Sequence, residues 1–225
     1  MASGWDPIWE EIFSTRTWGK YPPEDLVRFI ARNYYGAQDR SLIRVLDLGC
    51  GPGACSWYLA REGFSTYGID GSPTAIDQVR KRLAQEQLHG EFHVGDLVRL
   101  PWPDDSFDAA IDIESVTSNT FHVSRQIVAE VWRVLKPNGL LFSISFKAGS
   151  WGDGTGRRIE EHTREGITEG PCAGMGVIRF SPEEEIRELH SEFQDLSLEY
   201  DIRSVDQMTH IVAQWVITCR KPSSA

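Results

Sequence analysis

The chain has 225 residues, of which 40% are hydrophobic, 25% charged and 11% aromatic. That balance excludes collagenous, low-complexity and wholly disordered classes. Its 33 acidic against 23 basic residues give a net charge of −10, a field that repels phosphate backbones and argues against a nucleic-acid partner.

No apolar run approaches the ~20 residues that a membrane-spanning helix needs. The opening MASGWDPIWEE lacks the basic-then-apolar layout of a leader peptide. Cys50, Cys55, Cys172 and Cys219 show no CxxC spacing, so they read as small buried apolar residues of a reducing, cytoplasmic compartment.

Residues 1–21 are rich in aromatics (Trp5, Trp9, Phe13, Trp18, Tyr21) and read as irregular or partly helical. Pro22-Pro23-Glu24-Asp25 is a helix start, and Leu26, Val27, Phe29, Ile30 and Tyr34 fall on one helical face. Leu42 to Leu48 is a buried strand ended by glycines. A helix is expected from Gly53 to Glu62 and a strand over Ser65–Ile69. Ser72 is an N-cap with Pro73 at the first helical position, and that helix should run to about Leu88. Strands follow at Glu91–Val94 and Phe107–Ile113. Val123, Ile127, Val128, Val131, Val134 and Leu135 form a helical stripe over His122–Leu135. Lys136-Pro137-Asn138-Gly139 stops it, and Leu140–Phe146 is the next strand. Strand and helix alternate throughout 42–146, which requires an α/β fold around a parallel sheet.

Residues 147–180 break this rhythm with many glycines and little apolar periodicity. So long a connection reads as a lid. Ser181-Pro182-Glu183-Glu184 reads as a capping box opening a helix to Phe193. Two strands near 196–204 and 210–219 have no helix between them and must pair antiparallel.

The chemistry-bearing segment is Val45-Leu46-Asp47-Leu48-Gly49-Cys50-Gly51-Pro52-Gly53. A buried strand ends in glycines and a helix begins, which places a ligand at the carboxyl edge of the sheet. Gly49, Gly51 and Ala54 satisfy G-x-G-x-x-A, and Asp70 lies about 20 residues on, so the dinucleotide fingerprint is formally met. Three features point instead to a cationic ligand. Asp47 precedes the loop and would oppose a diphosphate. Pro52 removes an amide that a phosphate would want. A second acid, Asp96, follows the third strand.

Three stretches, VLDLGCGPGACSWYLAREGFSTYGIDGSPTAI, VGDLVRLPWPDDSFDAAIDIESV and EVWRVLKPNGLLFSISF, resemble the class I S-adenosylmethionine-dependent methyltransferases, in particular the small-molecule branch built on the methyltransferase-11 domain. Together they cover about residues 42–146. The resemblance implies a Rossmann-like three-layer sandwich with a seven-stranded, mostly parallel sheet whose last strand is antiparallel. It implies one domain over 1–225, made of an aromatic and helical cover (1–41), a cofactor-binding core (42–146), a lid insert (147–180) and a closing helix and hairpin (181–225). The cofactor would be S-adenosylmethionine, leaving as S-adenosylhomocysteine. By position, Gly49, Gly51 and Gly53 would pass its methionine part and Asp47 would hold its amino group. Asp70, with Gly71 and Ser72 beside it, would take the ribose hydroxyls. Asp96 and Leu97 would meet the adenine, and Ile113 and Glu114 would lie beside the methyl group. Trp18 or Tyr21 would cover the sulfonium with a cation–π contact.

A sulfonium methyl is already activated, so a base is needed only for a protonated acceptor. Glu114 and His122 are the candidate catalytic residues, with Asp112 expected on the same strand face as Glu114. Within the insert, Trp151, Asp153, Arg157, Arg158, His162 and Glu169 are expected to contact the acceptor. No metal is expected, because Asp112 and Glu114 supply too few oxygens for a hard cation. The reading is methyl transfer to an O or N atom of a small molecule. A non-catalytic cofactor-binding protein, a macromolecular methyltransferase and an NAD-dependent oxidoreductase stand as rivals. The acceptor and the oligomeric state are open.

Overall fold

The computed structural model describes residues 3–223. In chain order come α1 (Ile8–Thr15), α2 (Glu24–Tyr34), β1 (Arg44–Leu48), α3 (Ala54–Arg61), β2 (Ser65–Asp70), α4 (Pro73–Gln85), β3 (Glu91–Val94), β4 (Phe107–Ile113), α5 (Phe121–Val134) and β5 (Leu135–Phe146). Then follow β6 (Arg157–Glu160), β7 (Thr163–Glu165), β8 (Ile178–Arg179), α6 (Glu183–Leu189), β9 (Gln194–Val205) and β10 (His210–Arg220). Seven strands form one sheet in the order β3-β2-β1-β4-β5-β10-β9. β10 alone runs antiparallel to both its neighbours.

Strand alternation divides the core. Val45, Ala109, Ile111, Phe142 and Ile144 face α2 and α3, where Leu26, Phe29, Ile30, Tyr58 and Leu59 meet them. Leu46, Leu48, Ala110 and Leu141 face the other way, onto Val123, Ile127, Val131 and Val134 of α5. Both faces of β1 and β4 are therefore covered, which is why these strands read as near-continuous apolar runs. The order reverses between β1 and β4: β1 pairs with β2 on one side and β4 on the other. The carboxyl ends of these strands are thus a topological switch point.

Four expectations need correction. β5 begins at Leu135, not Leu140, because the chain passes through Lys136-Pro137-Asn138-Gly139 as an irregular strand that pairs Leu135 with Phe107. The capping box at Ser181 does not form: α6 has no side-chain cap, and the Ser181 hydroxyl is buried without a partner. α4 stops at Gln85, short of Leu88, and α6 at Leu189, short of Phe193.

The insert is not a bare loop. β6, β7 and β8 make a small antiparallel sheet with its own core of Ile167, Cys172, Ile178 and Phe180 packed on Phe146 and Val212. Arg179, fully buried, ties it to the loop after β4. Its amide donates to the Thr117 carbonyl at 2.8 Å, and its guanidinium donates to Ser124 Oγ at 3.0 Å.

Candidate cofactor cleft

A cleft opens along the carboxyl ends of β1, β2 and β4 and encloses about 1030 Å³, open mouth included. Its floor is the glycine turn. Gly49, Gly51 and Gly53 have φ of +59°, +50° and +85°, a region costly for any residue with a Cβ. They are not equivalent. Gly49 and Gly51 line the cleft, whereas Gly53 does not. A Cβ on Gly53 would overlap Val79, so this glycine serves the packing of α3 on α4.

Three carboxylates face the cleft. Asp47 accepts from Ser56 Oγ at 2.5 Å, and burial pushes its pKa up to about 7. Asp70 accepts from the Gly51 amide at 2.9 Å and the Ser72 amide at 2.8 Å, and burial pushes it up to about 6. Glu114 stands at the end of β4 with φ +66°. Burial raises it to about 7, opposed by a hydrogen bond donated by the Gln214 amide of β10. Among the described residues, no lysine or arginine lines the cleft. Buried carboxylates without a cation are costly unless protonated or paired with a ligand. Cys50 and Cys55 also line it, and burial pushes both thiols up, which keeps them neutral.

The positive φ of Glu114 breaks the strand alternation. Asp112, expected beside it, instead turns into the protein. It takes Ser143 Oγ at 2.6 Å and the Ser115 and Val116 amides at 2.9 and 3.1 Å, and so shapes the loop that presents Glu114. Ile113, Leu97 and Gly71 line the cleft. Ser72 does not: its hydroxyl caps α4 through the Ala75 amide at 3.0 Å and donates to Glu10. Asp96 is engaged by the N-terminal segment, with the Gly4 amide at 3.0 Å and Ser3 Oγ at 2.9 Å.

His122 is displaced from the expected site. It is exposed on the first turn of α5, pairs with Gln126 at 3.2 Å and does not line the cleft. The insert residues are also absent from the lining. Trp151 stacks on His210 at 4.1 Å, Asp153 and Arg157 pair with Arg164 and Glu165, and His162 pairs with Glu185 at 2.8 Å.

The roof is aromatic. Trp18 and Tyr21 line the cleft, joined by Trp5, Trp9 and Phe13. Phe13, not Trp18, lies against the glycine turn: a Cβ on Gly51 would stand 3.3 Å from Phe13 Cζ. Trp18 packs edge-on against Phe13 with centroids 5.4 Å apart. Trp9 and Phe13, four residues apart on α1, share one helical face, and Trp5 precedes the helix. Ser115, Ser118 and Asn119 complete the wall after β4.

Residues 45–139 match the family model described as a methyltransferase domain. The chain is 26% identical to a SAM-dependent methyltransferase of Methanosarcina mazei, with a TM-score of 0.70 over 87% of this chain and 98% of that one. The stretch over residues 45–139 is thus similar to S-adenosylmethionine-dependent methyltransferase domains. It is 36% identical over 105 residues to a demethylmenaquinone methyltransferase of Deinococcus radiodurans (46% of this chain, 43% of the relative). It is 32% identical over 110 residues to ribosomal RNA small subunit methyltransferase C of Alcanivorax borkumensis (45% and 32%). The chain spans less than half the length of these curated relatives.

The methyltransferase cofactor, S-adenosylmethionine, fits what the cleft offers. Its sulfonium and ammonium groups are the cations that the three carboxylates lack, whereas a dinucleotide would bring two more negative charges to Asp47 and Asp70. Among the described residues, no cluster of three or more metal-ligating side chains occurs, and no helix is long and apolar enough to cross a membrane.

Proposed function

We propose that this chain transfers the methyl group of S-adenosylmethionine to an oxygen or nitrogen atom of a small-molecule acceptor at the Glu114 end of the cleft. The observation that carries the reading is a cleft that holds two buried carboxylates, Asp47 and Asp70, and a half-buried third, Glu114, with no lysine or arginine among its lining residues. The bound cofactor supplies a methyl group on a positively charged sulphur, ready for in-line displacement. Asp47 would face the ammonium group and Asp70 the ribose hydroxyls, in bonds worth ~1.5–3 kcal/mol each with a charged acceptor. Phe13, against Gly51, would cover the sulfonium, with Trp18 and Tyr21 completing the cover.

Glu114 is the base in this reading. Its environment sets its pKa near neutrality, where a general base works best, and its strained backbone is of the kind retained at functional sites. It would accept the proton of a hydroxyl or ammonium acceptor. Gln214 donates to Oε1 and so orients the carboxylate and favours its ionised form. A small acceptor fits a roofed, mostly apolar cleft and a net charge of −10 better than a polyphosphate chain does. We place the insert as a wall outside the cofactor cleft.

Calorimetry tests the reading. S-adenosylhomocysteine should bind and NAD should not; the reverse outcome would refute it. Incorporation of tritium from labelled cofactor into a metabolite extract should then yield a small labelled product, and label confined to RNA or protein would overturn the acceptor class.

A further inference from the structure

The segment ahead of α1 makes contacts that neither the fold nor the reaction requires. A carboxylate offers about four lone pairs, and Asp96 is engaged by three donors, one of them shared between its two oxygens. Oδ1 accepts from the Gly4 amide at 3.0 Å and the Val98 amide at 3.1 Å. Oδ2 accepts from Ser3 Oγ at 2.9 Å, with the Gly4 amide again at 3.2 Å. Gly4 is seated so closely that a Cβ would stand 2.8 Å from Asp96 Oδ1, 3.1 Å from Val98 and 3.3 Å from Ile127. One residue on, the Trp5 indole lies directly on Gly71, where a Cβ would overlap its fused rings. Trp5 lines the same cleft as Asp70, Gly95 and Leu97.

These are the partners that an adenosine would use under the reading above, on which this inference rests. A purine needs a flat apolar slot beside Gly71 and Leu97, and its exocyclic amine needs a carboxylate lone pair. The indole is a fused bicycle of similar size and shape, and the Gly4 amide is an N–H donor aimed at the same carboxylate. We propose that Ser3–Trp5 is a built-in competitor of the cofactor, an intramolecular stand-in for adenine that must leave its subsite before S-adenosylmethionine is fully seated.

The segment is anchored behind its tip. Glu10 of α1 accepts from Thr74 Oγ1 at 2.5 Å and from Ser72, and Ile12 and Phe13 pack on Ala75. Release therefore moves residues 3–6 while α1 stays on α4. A tethered competitor acts at an effective concentration set by its tether, typically millimolar for a short one. It lowers apparent affinity by the fraction of molecules whose slot is free.

Two full-length variants and one measurement on the unaltered protein test this. Gly4→Ala cannot seat against Asp96, and Trp5→Ala empties the slot. Both should bind S-adenosylhomocysteine about tenfold more tightly than the parent. In the parent, hydrogen exchange at the amides of residues 4 and 5 should accelerate at least tenfold on saturation with S-adenosylhomocysteine. Weaker or unchanged binding by the variants, or slower exchange on saturation, would show that the segment is a lid over the adenine and overturn the proposal. Failure of the parent and both variants to bind S-adenosylhomocysteine at all would overturn the cofactor reading itself.

Discussion

The floor of the cleft is backbone and buried charge, whereas its roof is side chains carried in from residues 4–23. The floor comprises the glycine turn after β1, Asp70 at the end of β2 and Glu114 at the end of β4, each set by a parallel strand of the central sheet. The roof comprises Trp5, Trp9, Phe13, Trp18 and Tyr21, held by a helix of 8 residues and the irregular chain on either side of it. Strand ends in a packed sheet have little freedom, so chemistry that needs fixed geometry belongs to the floor. A short helix and its flanks open at lower cost, so admission and affinity belong to the roof.

The largest effect should come from the floor. Glu114→Gln retains the shape and the Gln214 contact but removes the base, and should lower kcat by roughly 10²-fold or more while the Kd for S-adenosylhomocysteine stays within about threefold. Steady-state rates and calorimetry on one preparation separate the two. Equal loss of both would make Glu114 a binding group. Asp70→Ala comes next and should weaken cofactor binding by about tenfold or more, ~1.4 kcal/mol. That variant also strips the Gly51 and Ser72 amides of their acceptor, so part of its effect should appear as a lower Tm.

The difference between floor and roof is also the difference between what could and could not be read from residues alone. Val45 to Gly53, Asp70 and the end of β4 were legible because buried strands leave unbroken apolar runs and positive-φ turns leave glycines. Glu114 was legible as a strand-end acid, but its positive φ was not, and so Asp112 was expected on the wrong side. The roof was legible only as an excess of aromatics. Which ring meets the glycine turn depends on how α1 lies on α4, a matter of Glu10 reaching Ser72 and Thr74 across more than sixty residues. His122 was a helix-opening residue that its i+4 neighbour Gln126 holds at the surface. The small sheet of the insert stayed hidden because its strands are 4, 3 and 2 residues long, too short for a period to show.

Among the roof residues that stay in place over the glycine turn, Phe13 should show a smaller effect than either floor variant. Phe13→Leu keeps an apolar cover over Gly51 but removes the ring face. It should weaken S-adenosylmethionine by about threefold, within the ~0.5–1 kcal/mol of a partly exposed cation–π contact, and leave S-adenosylhomocysteine, which has no charge on sulphur, nearly unchanged. Equal weakening of the two would mean that the ring contributes packing alone.

The pH dependence joins floor to ligand. Burial holds Asp47 and Glu114 up to about 7 and Asp70 and Asp112 up to about 6, against ordinary values of 3.8 for Asp and 4.5 for Glu. These four groups therefore hold more protons in the folded protein than in the unfolded chain between about pH 4 and 7, and their contribution to the stability of the ligand-free protein falls as pH rises through that window, opposed by His190, which burial lowers to about 4. A cationic ligand favours the ionised carboxylates, so binding it releases protons and its affinity should climb over the same range. The neutral thioether gains less. The ratio of Kd for S-adenosylhomocysteine to Kd for S-adenosylmethionine should thus rise a few-fold from pH 5.5 to 7.5 and level off above, as calorimetry in buffers of different ionisation enthalpy would show. A ratio flat across that range would mean that the carboxylates do not sense the sulphur's charge, and the roof would then be the part of the cleft that distinguishes the two ligands.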